Sequence, residues 1–212
     1  LYLLGLAWAS GAVYYDAPLP NEGQWGRALL AIGYASVVLL TLVALGSSRR
    51  RFLGWIISIA IVAVPWFLKK PASRTDWKPG ASRMPSALIE GNLVTFHNFR
   101  HFQYDKKGEA LNRWESRTVD LSKLEGLDFI HHELASSPLA HPLLSFDFGE
   151  EGYIAFSVEI RYRKGQDFSP LQGLYKQYDL IYLVGDERDF LQERAVVRGE
   201  PVRLYRLTYP LE

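Results

Sequence analysis

The residues best suited to chemistry are His141 and Glu159. They lie in two strand-like runs, Ala140 to Phe148 and Tyr153 to Arg161, joined by a tight turn at Gly149-Glu-Glu-Gly152. Alternate side chains of a strand share a face. His141, Leu143 and Ser145 therefore share one face of the first run, opposite Leu144, Phe146 and Phe148. In the second run Ser157, Glu159 and Arg161 share a face, opposite Phe156, Val158 and Ile160. This spacing lets a histidine and a carboxylate meet on neighbouring strands, as a general base and the group that orients it. The bland alternative pairs Glu159 with Arg161 or Arg163 on the sheet surface. Neither run supplies a nucleophile: Ser145 is near His141 in sequence but lacks the glycine flanks of a nucleophile elbow.

Other polar clusters carry weaker chemistry. His131-His132-Glu133 invites a metal, but adjacent strand residues point to opposite faces and no third ligand is evident, so no metal is expected. His97 and His101 are four apart on a strand and turn, where the helical i, i+4 argument fails. Both groups read as polar surface.

The elements that must position these residues divide at Lys69. Before it the chain is almost wholly apolar; after it charges of both signs mix with aromatics, as in a globular domain. Leu1 to Tyr15, Ala28 to Leu45 and Phe52 to Leu68 are apolar runs, the last two close to the ~20 residues that span a bilayer. Trp25, Trp55 and Trp66 suit interfaces. Arg49, Arg50 and Arg51 place the loop between the last two runs in the cytoplasm, and everything after Leu68 on the outer side. Residues 1–68 are thus expected to be a membrane segment with two to three transmembrane helices. Residues 69–85, rich in Pro, Gly and Ser, read as a linker, and residues 86–212 as the outer domain.

In that domain, strands are expected at Leu93 to Phe99, Arg117 to Leu121, Leu127 to His131, the central hairpin, Leu180 to Val184 and Val202 to Tyr209. Short helices are expected from Ser169-Pro170 to about Tyr178 and from Asp189 to Val197. Strands outnumber helices and turns are short, which gives an α+β domain with a largely antiparallel sheet.

Composition excludes several classes. Of 212 residues, 48% are hydrophobic and 22% charged, and the net charge is +1. Without a basic patch, nucleic acid is not an expected partner. With no cysteine, these residues hold no disulfide framework, thiolate metal site or thiol nucleophile. The chain starts at Leu1 and ends after a strand-like run, and is expected to be part of a longer protein.

Several ordered segments carry a resemblance: Asn98-Phe-Arg100-His-Phe102-Gln-Tyr104, Ala140-His141 followed by Ser145-Phe-Asp-Phe148, Ser157-Val-Glu159-Ile-Arg161, Lys164-Gly165, Gln177-Tyr178-Asp-Leu-Ile-Tyr182 and Asp186-Glu187-Arg188-Asp189. Over roughly Arg74 to Tyr209 the chain resembles the bacterial Lnb N-terminal periplasmic domain family, named after a lipoprotein N-acyltransferase. The resemblance implies a papain-like thiol chemistry in permuted order, with His141 as the base and a cysteine beyond Glu212. Pro142 stands where the family usually has threonine. The implied protein sits in the bacterial cytoplasmic (inner) membrane with a periplasmic domain. It acts on a membrane lipid or lipoprotein and needs no cofactor.

Asn98, Arg100, Tyr104, Ser145, Arg161 and Tyr178 are candidates to bind a polar headgroup or peptide end. The alternative for this set, and for Arg188 and Asp189, is a buried polar network that fixes the fold. Without a nucleophile these residues alone are expected to be inactive. Other classes to weigh are a non-catalytic domain binding lipid, lipoprotein or peptidoglycan fragments, and a related thiol amidase or peptidase.

Overall fold

The computed structural model describes residues 1–17, 23–70, 76–134 and 139–208. Residues 71–75 of the expected linker and Tyr209 of the expected last strand lie outside these. The chain divides into two units, Leu1–Ser73 with Asp167–Tyr178, and Arg74–Gln166 with Asp179–Glu212.

The first unit is helical: α1 (Tyr2–Asp16), α2 (Gln24–Ala44) and α3 (Ser48–Leu68). Ser47 caps α3 by accepting from the Arg50 backbone N–H. The second and third helices are long and apolar enough to cross a membrane. Their apolar surface faces outward. α2 buries only Val38 and α3 buries nothing, while Leu40, Ile57 and Ile61 are exposed. A helix in a water-soluble core buries such residues; a helix in lipid does not need to. The unit also holds a loop with one short helix, α4 (Pro170–Leu174), capped by Ser169 with proline at its first position. This helix stops earlier than the sequence suggests, and Lys176 takes a left-handed backbone conformation, φ 54°.

The second unit is built on one sheet in the order β1-β2-β9-β8-β7-β6-β10. The strands are β1 (Ser86–Glu90), β2 (Leu93–Arg100), β5 (Trp114–Asp120), β6 (Gly126–Glu133), β7 (Ala140–Asp147), β8 (Tyr153–Arg161), β9 (Asp179–Asp186) and β10 (Val202–Leu207). The fifth strand also pairs with β2, and β3 (Gln103–Tyr104) with β4 (Ala110–Leu111) forms a separate two-stranded ribbon. Every pairing is antiparallel except β2 with β9, which meet in parallel at Arg100 and Gly185. The class is α+β with a largely antiparallel sheet, as the strand count implied.

One face of the sheet buries Ile130, Leu143, Ala155, Ile181 and Leu183 beneath Phe190. The other buries Val94, Phe99, Val119, Phe148, Ile154 and Val184. Phe190 comes from α5 (Glu187–Leu191), which continues as a π-helical turn, Gln192–Val197. The sequence predicts an ordinary helix over 189–197. Instead the Arg198 N–H bonds to the Glu193 carbonyl, one residue wider than an α-turn. The first strand was not expected at all. All five of its residues are exposed, so it carries no alternation of burial.

The parallel meeting of β2 and β9 depends on a glycine. A Cβ at Gly185 would lie 2.5 Å from the Arg100 carbonyl oxygen and 3.1 Å from the Phe190 ring. Gly185→Ala is therefore expected to cost roughly 1–3 kcal/mol through overpacking, read as a lowered Tm of the detergent-solubilised protein. A Tm equal to the parent's would show that β2 can shift away from β9.

Candidate functional site

The hairpin of β7 and β8 sets His141 opposite Glu159, two residues beyond the Leu143–Ser157 pair. The imidazole Nε2 is 2.9 Å from Ser157 Oγ and 3.4 Å from Glu159 Oε1. Ser157 Oγ donates to Glu159 Oε1 at 2.6 Å. A hydroxyl has one proton. With that proton on Glu159, Ser157 accepts from the His141 Nε2–H. Nδ1 then carries the imidazole lone pair, and it has no hydrogen-bond partner among the described residues. His141 and Glu159 are both partly open to solvent.

The same oxygen, Glu159 Oε1, is also met by the guanidinium of Arg194, which donates to the Phe190 carbonyl at 3.0 Å. Arg194 is 1% exposed, among the most buried side chains of the unit. Burial raises the Glu159 carboxyl pKa, but the His141 hydrogen bond, the Arg194 charge and the Ser157 bond outweigh it and bring it down to about 2. Glu159 thus pairs with Arg194, rather than with either Arg161 or Arg163.

The π-turn joins this pair to a second network. Arg100 makes a two-pronged contact with Asp189, at 2.9 and 2.8 Å, and also contacts Glu193 and the Tyr104 hydroxyl. Asp189 accepts as well from the Phe102 backbone N–H and from Tyr104. Arg198 closes on Glu193. Burial raises the Glu193 carboxyl, but the Arg100, Arg198 and Arg194 charges overcome it and hold it at about 2. Burial raises the Tyr104 phenol, so it stays neutral. His132 lies beside His141 across the β6–β7 ladder, with ring centres 6.2 Å apart. It is bonded to Glu200 at 2.6 Å, and burial pushes its imidazole below the usual histidine value, against Glu200.

The other candidates fall in several places. Arg100 and Tyr104 belong to the Asp189 network. Asn98 sits at a bulge in β2 with φ 54° and donates to the Met84 carbonyl. Asparagine tolerates that conformation better than most residues. Arg161 donates to the carbonyls of Ala81 and Ser82 and lies 4.4 Å over the Trp77 ring. Ser145 is fully buried against Glu187, whose carboxyl is pushed above the usual range by burial and, further, by Asp128. Tyr178 is in the helical unit, where its hydroxyl takes the Ser169 N–H and donates to the Asp167 carbonyl. His131 and His132 point to opposite faces, and among the described residues no group of three or more His, Cys, Asp or Glu could hold a metal ion.

Sequence reasoning missed Arg194 and the linking role of Ser157. Phe190 and Arg194 are four apart in a helical run, so they share a face. An inward Phe190 was the available signal that Arg194 also points inward.

Residues 110–212 match the model of a family described as the Lnb N-terminal periplasmic domain. No curated protein matches the chain, and no solved structure does. The matched span contains His141, Ser157, Glu159 and Arg194; Asn98, Arg100 and Tyr104 precede it.

Because Glu159 ionises well below a free carboxylate, its contribution to stability is present above about 4.5 and lost as pH falls toward about 2. That contribution is on the order of 3 kcal/mol. Thermal melts between those pH values should show an acid loss that is reduced in Glu159→Gln. Arg194→Met strips a buried charge partner and should destabilise by roughly 3–5 kcal/mol, whereas adding Glu159→Gln should restore part of that loss. Strict additivity of the two substitutions would mean that the ion pair contributes nothing.

Proposed function

Since residues 110–212 carry the Lnb N-terminal periplasmic domain, we propose that this chain is a membrane-anchored cell-envelope protein akin to the lipoprotein N-acyltransferases. Its periplasmic domain would present His141 as base to a cysteine supplied from beyond Glu212. The match and the two apolar helices support a membrane protein with a periplasmic domain. Residues 1–68 would lie in the bacterial inner membrane, with Arg49 to Arg51 on the cytoplasmic side. Residues 86–212 would take a papain-like arrangement in permuted order.

The observation that carries the chemistry is the series His141–Ser157–Glu159–Arg194. With Ser157 donating to Glu159, the series supports the Nε2–H tautomer, which would leave the Nδ1 lone pair for a proton. A thiol would pass its proton to Nδ1, and the thiolate would attack the acyl carbonyl of a membrane lipid or lipoprotein. The departing alkoxide takes that proton, leaving a thioester on cysteine. An amine then attacks the thioester and the thiol is restored. His141 and Glu159 carry the catalytic roles; Ser157 and Arg194 position them.

The test is labelling of the natively expressed protein by a thiol-reactive probe, with intact mass as readout. One cysteine should label, and His141→Ala should slow that labelling by on the order of a hundredfold, within the range of general-base effects. Lipid or lipoprotein binding that survives His141→Ala, with no labelled cysteine, would overturn the proposal in favour of a non-catalytic binding domain.

A further inference from the structure

The loop 167–178 groups with the helices and not with the sheet that it interrupts. Tyr175 stacks on Tyr15 with ring centres 4.9 Å apart. It lies so close over α1 that a Cβ at Gly11 would come within 2.0 Å of its hydroxyl. Lys176 Nζ is 3.9 Å above the Trp66 ring. Gln177 donates to Asp16 at 2.9 Å, and Lys69 pairs with the same carboxylate at 2.5 Å. These contacts fall on the C-terminal half of α1 and the C-terminal end of α3. Aromatic and lysine side chains at the end of an apolar helix mark the level where headgroups meet acyl chains.

Held at that level, the loop turns apolar side chains outward. Phe168, Leu171 and Leu174 are 53%, 61% and 58% exposed. The Ser169 cap and the Tyr178 hydroxyl, which bridges Ser169 and Asp167, set the shape that exposes them. Leu171 and Leu174 are one turn apart in α4 and Phe168 directly precedes its cap, so the three form an exposed apolar patch of the kind that marks an interaction surface.

We propose that residues 167–178 form a lipid-facing foot, with Phe168, Leu171 and Leu174 seated in the headgroup–acyl boundary of the leaflet at the Asp16 and Lys69 end of the helices. The partner is a phospholipid surface, and the inference rests on the reading that α2 and α3 cross a membrane. The chain enters the foot from β8, the strand carrying Ser157 and Glu159.

The absence of cysteine makes single labels unique in the 212-residue chain. The chain would be reconstituted in phosphatidylethanolamine–phosphatidylglycerol vesicles with a nitroxide on Leu171→Cys, Leu40→Cys (in α2) or Leu111→Cys (in β4). Relaxation by oxygen and by a water-soluble nickel chelate would then be compared. The Leu171 label should favour oxygen several-fold over the Leu111 label. A Leu171 label as water-accessible as Leu111, with Leu40 still reading lipid, overturns the foot and leaves the membrane segment intact. Water accessibility at Leu40 as well overturns both. Dipolar broadening between Leu171 labels that grows with protein-to-lipid ratio overturns the lipid partner in favour of a second copy of the chain.

Discussion

Three guanidinium groups lie against the turn that covers the sheet, and each is matched. Arg100 meets Asp189 and Glu193, Arg198 meets Glu193, and Arg194 meets Glu159. Taking charges out of water costs several kcal/mol per ion unless partners and hydrogen bonds replace the solvent. The turn can therefore rest on the sheet only where the two buried cations, Arg100 and Arg194, find their carboxylates, while Arg198 closes on Glu193 from the solvent side. A slip of one residue would leave a buried charge alone, so the register of the cover over β8 is set by charge matching as much as by Phe190. The same matching holds Glu159 ionised, and an ionised Glu159 organises Ser157 and His141.

Backbone irregularities make that matching reachable. The bulge at Asn98 ends the pairing of β2 with β1 and lets its last residue reach β9, so that Arg100 stands beneath Asp189. The π-turn then widens the helix where Glu193 and Arg194 must serve different partners, Arg100 on one side and Glu159 on the other. A π-turn has weaker geometry than an α-turn, and such turns recur where a site needs side chains placed off the usual spacing. Gly185 leaves out a Cβ that would press on the Arg100 carbonyl and hold β2 away from β9.

The helical unit obeys the opposite rule. Its second and third helices keep leucine, isoleucine and valine on the outside and little inside, and the polar contacts of loop 167–178 gather at the helix ends around Asp16, Trp66 and Lys69. The apolar turn of α4 follows the helices in this respect, although it is spliced into the sequence of the sheet domain between β8 and β9.

The residue pattern by itself determined the apolar helices, the hairpin of β7 and β8, the faces of that hairpin, and the antiparallel α+β class. These follow from local periodicity and hydropathy, which each segment carries alone. It also placed His141 and Glu159 on adjoining faces, because alternation in a strand is a local rule. Only the tertiary structure decided that Arg194 holds Glu159, that Ser157 joins it to His141, that Arg161 serves the 81–82 carbonyls, and that Tyr178 closes a loop of the helical unit. Each of these pairs residues that the chain separates, or selects one partner for a long, flexible side chain among several within reach. Such choices are settled by which charges are buried together, and burial is a property of the assembled fold.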